Sequence, residues 1–215
     1  MFVKICGITN IQDAYCCVEN GADAIGLNFY PKSRRFIQFD DAAAIVKEVS
    51  PFLTTVGIMV QPTIEEVASA IEASEVDALQ VYEPKFDDRD FELKKLLYYS
   101  VRVMTPDDVA QAAKIGADLI FLDSFVDGEY GGTGQRADWL EIRKSGIDLS
   151  SRFVLSGGLK PGNVCEAIKA VAPYGVDTAS GVEVSPGKKD HEKIKEFISN
   201  AKQCAQSDQR QAIRC

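Results

Sequence analysis

The chain has 215 residues, 46% hydrophobic and 26% charged, with a formal net charge of -8. A chain of this size can bury one sizeable core, and its apolar residues are spread evenly with no composition break to mark a linker. The acidic balance excludes duplex DNA or another polyanion as partner, because such binding needs clustered Lys and Arg to displace counterions. No basic leader opens the chain and no apolar run approaches bilayer-spanning length, so neither export nor a membrane is expected, and the expected location is cytoplasmic.

The first β-rich run, 3–5, leads into Cys6-Gly7 and is followed by a segment of helical period at 11–20. A second strand at 24–28 ends in Asn28-Phe29-Tyr30-Pro31-Lys32-Ser33-Arg34-Arg35 and precedes a helix at 40–49. Further strands fall at 56–60, 78–81, 99–103, 119–122, 153–156 and 176–178, which makes eight. Strands alternating with helical segments imply parallel pairing through crossover helices. An internal repeat narrows the choice of sheet. Gly21-Ala22-Asp23-Ala24, Glu75-Val76-Asp77-Ala78, Gly116-Ala117-Asp118-Leu119 and Gly175-Val176-Asp177-Thr178 open strands two, four, six and eight. Any αβ loop can select such residues once; four copies at alternate strands favour a closed barrel over an open doubly wound sheet. The expected fold is therefore α/β, a (β/α)8 TIM barrel in a single domain over 1–202. The stretch from Asn200 loses its apolar stripe after Ala201, so 203–215 is expected to be a polar, disordered tail.

In such a barrel function collects at the C-terminal strand ends. Strand alternation puts Lys4 and Cys6 on one face, inside the barrel, with Val3 and Ile5 against the helices. An ammonium beside a thiol favours the thiolate, so Cys6 is a candidate general base with its pKa drawn toward neutrality; the alternative is a buried structural cysteine. Asp123, ending strand six, either caps loop amides or faces the mouth as a general acid. Tyr130-Gly131-Gly132-Thr133-Gly134 reads as a lid. Ser156-Gly157-Gly158 and Ser180-Gly181-Val182 follow the last two strands, where glycine lets backbone N–H groups approach a phosphate. Arg35 is either a fork for a second anion or a solvated loop residue like Arg34. The six cysteines, 6, 16, 17, 165, 204 and 215, lack metal-type spacing and are expected as reduced thiols. The single histidine, His191, stands at an expected helix start and reads as a surface residue. Nothing points to a metal, a cofactor or a Schiff-base lysine.

Taken together, Lys-Ile-Cys-Gly-Ile-Thr at 4–9, Gly-Ala-Asp-Ala-Ile-Gly at 21–26, Phe-Tyr-Pro-Lys-Ser-x-Arg at 29–35, Gly-Gly-Thr-Gly at 131–134, Leu-Ser-Gly-Gly-Leu-x-Pro-x-Asn-Val at 155–164 and Val-Asp-x-x-Ser-Gly-Val-Glu-x-x-Pro-Gly-x-Lys-Asp at 176–190 resemble the phosphoribosylanthranilate isomerases of tryptophan biosynthesis. The resemblance implies a cofactor-free Amadori rearrangement of N-(5'-phosphoribosyl)anthranilate to 1-(2-carboxyphenylamino)-1-deoxyribulose 5-phosphate. It implies Asp123 as general acid and Cys6 as general base, with Lys4, Arg35, Gln80, Gly132, Gly134, Gly157, Gly158, Asp177, Ser180 and Gly181 holding a phosphosugar substrate. Arg35 would take the anthranilate carboxylate and the last two loops the phosphate. The oligomeric expectation is a monomer or homodimer.

Departures from the family pattern gather in strands four and five. Leu79-Gln80-Val81-Tyr82-Glu83 stands where the family reads Leu-Gln-Leu-His-Gly, Tyr99 is matched to a family lysine, and Gln135 follows Gly-Gly-Thr-Gly where lysine is common. Glu83 would oppose an anionic substrate unless it points away. Two competing readings follow: an isomerase or lyase for another phosphosugar on the same barrel, or a non-catalytic phosphoribosyl-ligand binder.

Overall fold

Eight parallel strands, most of them rich in β-branched or aromatic residues, pair in sequence order and close into a barrel. The computed structural model describes residues 1–86, 96–124 and 139–212. The barrel strands are β1 (Phe2–Cys6), β2 (Ala24–Asn28), β3 (Thr54–Val60), β4 (Ala78–Tyr82), β5 (Leu96–Val103), β6 (Leu119–Ser124), β7 (Phe153–Leu155) and β8 (Gly175–Thr178). Between them lie α1 (Ile11–Glu19), α2 (Phe39–Val49), α3 (Ile64–Ser74), α4 (Pro106–Ala112), α5 (Trp139–Lys144) and α6 (Val164–Val171). Short polar residues start the helices: the Asn10 side chain accepts from Asp13 N, Thr63 and Glu66 form a capping box, and Thr105 precedes Pro106 and pairs with Asp108. This is the (β/α)8 TIM barrel expected from the alternation. Among the described residues no helix is long and apolar enough to cross a membrane.

Register decides which side chains face inward. Lys4 pairs with Ala24 and Asp177, Gln80 with Ile58 and Tyr98, and Asp123 with Arg102, so these positions share the barrel interior. The interior has an apolar floor of Ala24, Val56, Ala78, Tyr98, Phe121 and Val154. Above it the inward residues turn polar: Asn28, Gln80, Ser100, Asp123, Ser156 and Asp177 are all buried. The opposite faces carry Val3, Ile5, Leu27, Val81, Leu122 and Val176 into the core against the helices. That division, apolar below and polar above, places the chemistry at the C-terminal mouth.

The repeat is only partly equivalent in space. Asp23 and Asp77 stand just before β2 and β4, where Asp23 accepts from Val3 N at 2.8 Å and Asp77 from Thr55 N at 2.8 Å. These aspartates tie each even strand to its predecessor at the barrel bottom. Asp177, by contrast, lies inside β8, because that strand begins two residues earlier, at Gly175. Its carboxylate faces the interior instead.

The C-terminal region corrects three expectations. After β8 a 3-10 turn (Ser180–Val182) leads into a two-stranded antiparallel ribbon, β9 (Glu183–Ser185) and β10 (Lys188–Lys189), that periodicity did not reveal. The last helix, α7 (His191–Ala212), carries helical backbone ten residues beyond the expected domain end at 202. Its apolar stripe of Ile194, Phe197, Ile198 and Ala201 continues to Cys204, which is buried. Cys204 forms a disulfide with Cys165 of α6, so these two are not the reduced thiols expected from composition. His191, the first residue of α7, is half exposed and sets Nε2 2.8 Å from Asp13 Oδ1.

Candidate active site

One mouth at the strand ends is lined by Cys6, Arg35, Gln80, Asp123, Asp177 and the loops after β7 and β8. Cys6 ends β1 and looks across β2, where only a glycine fits. A Cβ on Gly26 would stand 2.9 Å from Cys6 Sγ and 2.9 Å from Ile58 Cδ1. Beneath the thiol, Lys4 is fully buried, its Nζ 2.9 Å from Asp177 Oδ1 and 4.9 Å from the centroid of the Phe121 ring. Lys4 therefore lies in the interior below the mouth and not among its lining residues.

That pairing changes the electrostatics expected of Cys6. Burial pushes the thiol up, Lys4 pulls it down, Asp177 pushes it up again, and the net direction is above the ordinary 9.0. The Lys4 ammonium does not bring the thiol toward neutrality, because desolvation outweighs a cation that Asp177 already neutralises. Lys4 itself is raised: burial opposes its charge, but Asp177 and Cys6 more than offset it.

Asp123, at the end of β6, is 4% exposed and accepts from the Tyr82 hydroxyl at 3.1 Å. Polar side chains of the neighbouring strands stand behind it: Gln80 Nε2 donates to Ser100 Oγ at 2.7 Å, and Tyr82 reaches Asp123. Burial pushes Tyr82 well above the ordinary phenol value and Asp123 adds to it, so Tyr82 is a neutral donor. Gln80 Oε1 is buried with no hydrogen-bond partner among the described residues, a condition that costs about 1–3 kcal/mol for a carbonyl.

The altered residues of strands four and five fall into place here. Glu83 turns away from the mouth: Gln61 Nε2 donates to its Oε2 at 2.9 Å and Arg102 Nη2 pairs with its Oε1. The side chain that β5 turns inward above Tyr98 is Ser100; Tyr99, matched to the family lysine by sequence, is outward and joins the helix-side core. Gly132, Gly134 and Gln135, with the expected lid, lie outside the described residues.

Arg35 reaches the mouth because the loop after β2 folds back on itself. Ile37 N donates to Asn28 O at 3.0 Å, and the aliphatic stem of Arg35 covers Gly7, whose φ of +74° and lack of a Cβ make room. The guanidinium is buried and paired in a fork with Glu183, Nε to Oε1 at 2.8 Å and Nη2 to Oε2 at 2.7 Å. Sequence reading did not single out Glu183. Its partner is 148 residues away, beyond any local pattern.

The two glycine loops meet at the mouth. Gly157 and Gly158 hold φ of +86° and +65°, a region open to glycine, and Asn163 Nδ2 braces the turn through Gly158 O at 3.0 Å. Ser180 lines the mouth, whereas Gly181 packs its backbone so closely on the Leu159 carbonyl that no side chain would fit. Thr178 Oγ1 donates to the same carbonyl at 2.7 Å. Thus Cys6, Arg35, Gln80, Asp123, Gly157, Gly158, Asp177 and Ser180 converge, with Lys4 beneath and Gly181 behind.

A half-buried thiol, a buried carboxyl, an arginine and two glycine-lined loops around one barrel mouth are the groups that a (β/α)8 enzyme site for acid–base chemistry on a small anionic molecule needs. A family model described as N-(5'phosphoribosyl)anthranilate (PRA) isomerase matches residues 3–200. The N-(5'-phosphoribosyl)anthranilate isomerase of Pseudomonas fluorescens is 44% identical over 197 residues, 91% of this chain and 92% of its own. The crystal structure of phosphoribosyl anthranilate isomerase from Thermotoga maritima superposes with a TM-score of 0.84 at 41% identity, covering 94% of this chain and 99% of that one. A phosphoribosyl anthranilate isomerase in complex with reduced 1-(o-carboxyphenylamino)-1-deoxyribulose 5-phosphate gives 0.79 at 39% identity, covering 94% and 99%. The chain belongs to the N-(5'-phosphoribosyl)anthranilate isomerase family. It is an enzyme of that family, an isomerase of tryptophan biosynthesis.

Proposed function

We propose that the mouth carries out the Amadori rearrangement of N-(5'-phosphoribosyl)anthranilate with Asp123 as general acid and Cys6 as general base. Asp123 gives its proton to the furanose ring oxygen, the C1–O bond breaks, and the nitrogen lone pair forms an iminium. The Cys6 thiolate takes the proton from C2, the freed electron pair forms C1=C2, and the iminium nitrogen is neutralised. The resulting enolamine tautomerises to the ketone, so atoms and charge balance without a cofactor.

The observation that carries this reading is the convergence of one acid, one base and two anion-binding elements on a single mouth. Arg35 holds the anthranilate carboxylate, and the Gly157, Gly158, Ser180 and Gly181 loops hold the phosphate through backbone N–H groups. Gln80, whose Oε1 lacks a partner among the described residues, takes a hydrogen bond from the sugar. Tyr82 does not displace the chemistry, since its hydroxyl supports Asp123, and Glu83 points elsewhere. Gly132 and Gly134 belong to the same reading as a closing loop, and Lys4 supports Asp177 from below the mouth. A small phosphosugar substrate, a cytoplasmic location, a monomeric or homodimeric state and no nucleic-acid partner complete it.

The test follows loss of anthranilate-type fluorescence after the protein meets freshly generated phosphoribosylanthranilate. Cys6→Ala and Asp123→Asn should each lower kcat by about a hundredfold or more, the usual scale of a lost proton-transfer group. A folded Cys6→Ala variant turning over like the parent would remove Cys6 as the base.

A further inference from the structure

The ribbon after β8 brings two buried charges to the rim of the mouth without joining its lining. Glu183 opens β9 and Lys189 faces it from β10, in direct register. They are 8% and 3% exposed. Glu183 accepts four hydrogen bonds: Arg35 Nε at 2.8 Å, Lys189 Nζ at 2.8 Å and Gly187 N at 3.2 Å on Oε1, and Arg35 Nη2 at 2.7 Å on Oε2. Lys189 Nζ also donates to the carbonyls of Cys6 at 2.6 Å and Ala179 at 3.1 Å. An ammonium has three protons, and each has a fixed acceptor.

This arrangement does two things to Arg35. A carboxylate on the Nε–Nη2 edge fixes the plane of a guanidinium that otherwise swings on a long, rotamer-rich stem. Because Lys189 anchors that carboxylate to the backbone ends of β1 and β8, the plane is set relative to Cys6. The charges matter as well. Two cations and one anion leave this cluster net positive, whereas without Glu183 Arg35 and Lys189 would repel. Burial works against the Glu183 charge, but Arg35 and Lys189 outweigh it and hold the carboxyl below the ordinary 4.5.

We propose that Glu183, backed by Lys189, is a positioning residue for the isomerisation: it presets the Arg35 guanidinium for the substrate's aromatic carboxylate. This rests on the assignment of Arg35 made above. Positioning of this kind stabilises bound states evenly, so its loss raises KM and leaves kcat largely intact.

The experiment measures calorimetric affinity for reduced 1-(o-carboxyphenylamino)-1-deoxyribulose 5-phosphate and for inorganic phosphate, beside kcat and KM. It uses the parent, Glu183→Gln, Arg35→Ala and the double variant. Glu183→Gln should weaken the analogue and raise KM about tenfold, with kcat within about threefold and phosphate affinity unchanged. The double variant should bind the analogue no more weakly than Arg35→Ala alone, because Glu183 acts through Arg35. Analogue binding unchanged in Glu183→Gln, or losses that multiply in full in the double variant, would overturn the proposal. If Glu183→Gln does not fold, Glu183→Asp replaces it: a carboxylate one methylene shorter cannot span the fork and reach Lys189, so analogue affinity should fall while phosphate affinity holds. Unchanged analogue affinity there overturns it equally. A parent protein that binds phosphate but neither binds the analogue nor turns over substrate would instead overturn the isomerase roles assigned above, and the Arg35 positioning with them.

Discussion

At the residue scale, Cys6 shows how much a neighbour's own partner matters. Alternation alone places Lys4 and Cys6 on one face, and the structure agrees: both stand inside β1. What alternation cannot reach is Asp177, 173 residues on, whose carboxylate takes the Lys4 charge. A thiol inferred to be tuned toward neutrality is therefore tuned the other way. Burial, the largest influence, raises the thiol above 9.0, with Lys4, Lys189 and Arg35 opposing and Asp177 assisting. The thiolate is the form that removes a proton, so its share at neutral pH is small and grows as pH rises. We expect alkylation of Cys6 by iodoacetamide, read against Cys6→Ala, to accelerate steadily from pH 7 to 9, because that rate follows the thiolate alone, whereas kcat/KM also needs Asp123 protonated. An alkylation rate already level from pH 7 would contradict a raised thiol.

At the element scale, β-branched runs separated by helical periods made the eight strands legible, and the glycine-rich ends of β7 and β8 marked themselves. The ribbon did not, because strands of three and two residues carry too little alternation to show a period. Nor did the inward residue of β5: a one-residue slip between Tyr99 and Ser100 exchanges the faces of a strand, and only the β4–β5 register decides it. Register also explains why a glycine in the middle of β2 matters to chemistry. Gly26 is opposite Cys6, and a methyl there meets both Sγ and the Ile58 side chain at 2.9 Å. Gly26→Ala should thus displace the thiol and lower kcat, by about tenfold or more, since a misplacement of roughly 1 Å has been worth a hundredfold in well-oriented reactions. Retained circular dichroism and retained phosphate affinity would show that the barrel and its anion loops survive. An alanine variant with parental kcat would mean that Cys6 tolerates the shift, which a base aligned on C2 should not.

For the whole molecule, the Cys165–Cys204 bond ties α6 to α7 across 39 residues of sequence. The enclosed chain contains β8, the 3-10 turn and the ribbon, so the loop after β8 and the Glu183–Lys189 pair lie within one covalent loop. Spacing gave no sign of this, since neither cysteine belongs to a motif and only packing of α6 on α7 brings them together. Closing a loop of that length restricts the unfolded chain by about 4 kcal/mol in the chain-entropy account. In a domain of this size that corresponds to a melting temperature roughly 10 °C higher in the oxidised protein. Reduction should therefore lower the melting temperature by about that much, while titratable thiols in the denatured protein increase by two. Turnover at 25 °C should persist, because the folded α6–α7 contact includes the buried Ile168, Phe197 and Ile198, and these remain when the sulfurs part. Equal melting temperatures before and after reduction, with the thiol count rising by two, would show that this packing already supplies what the bond was expected to add.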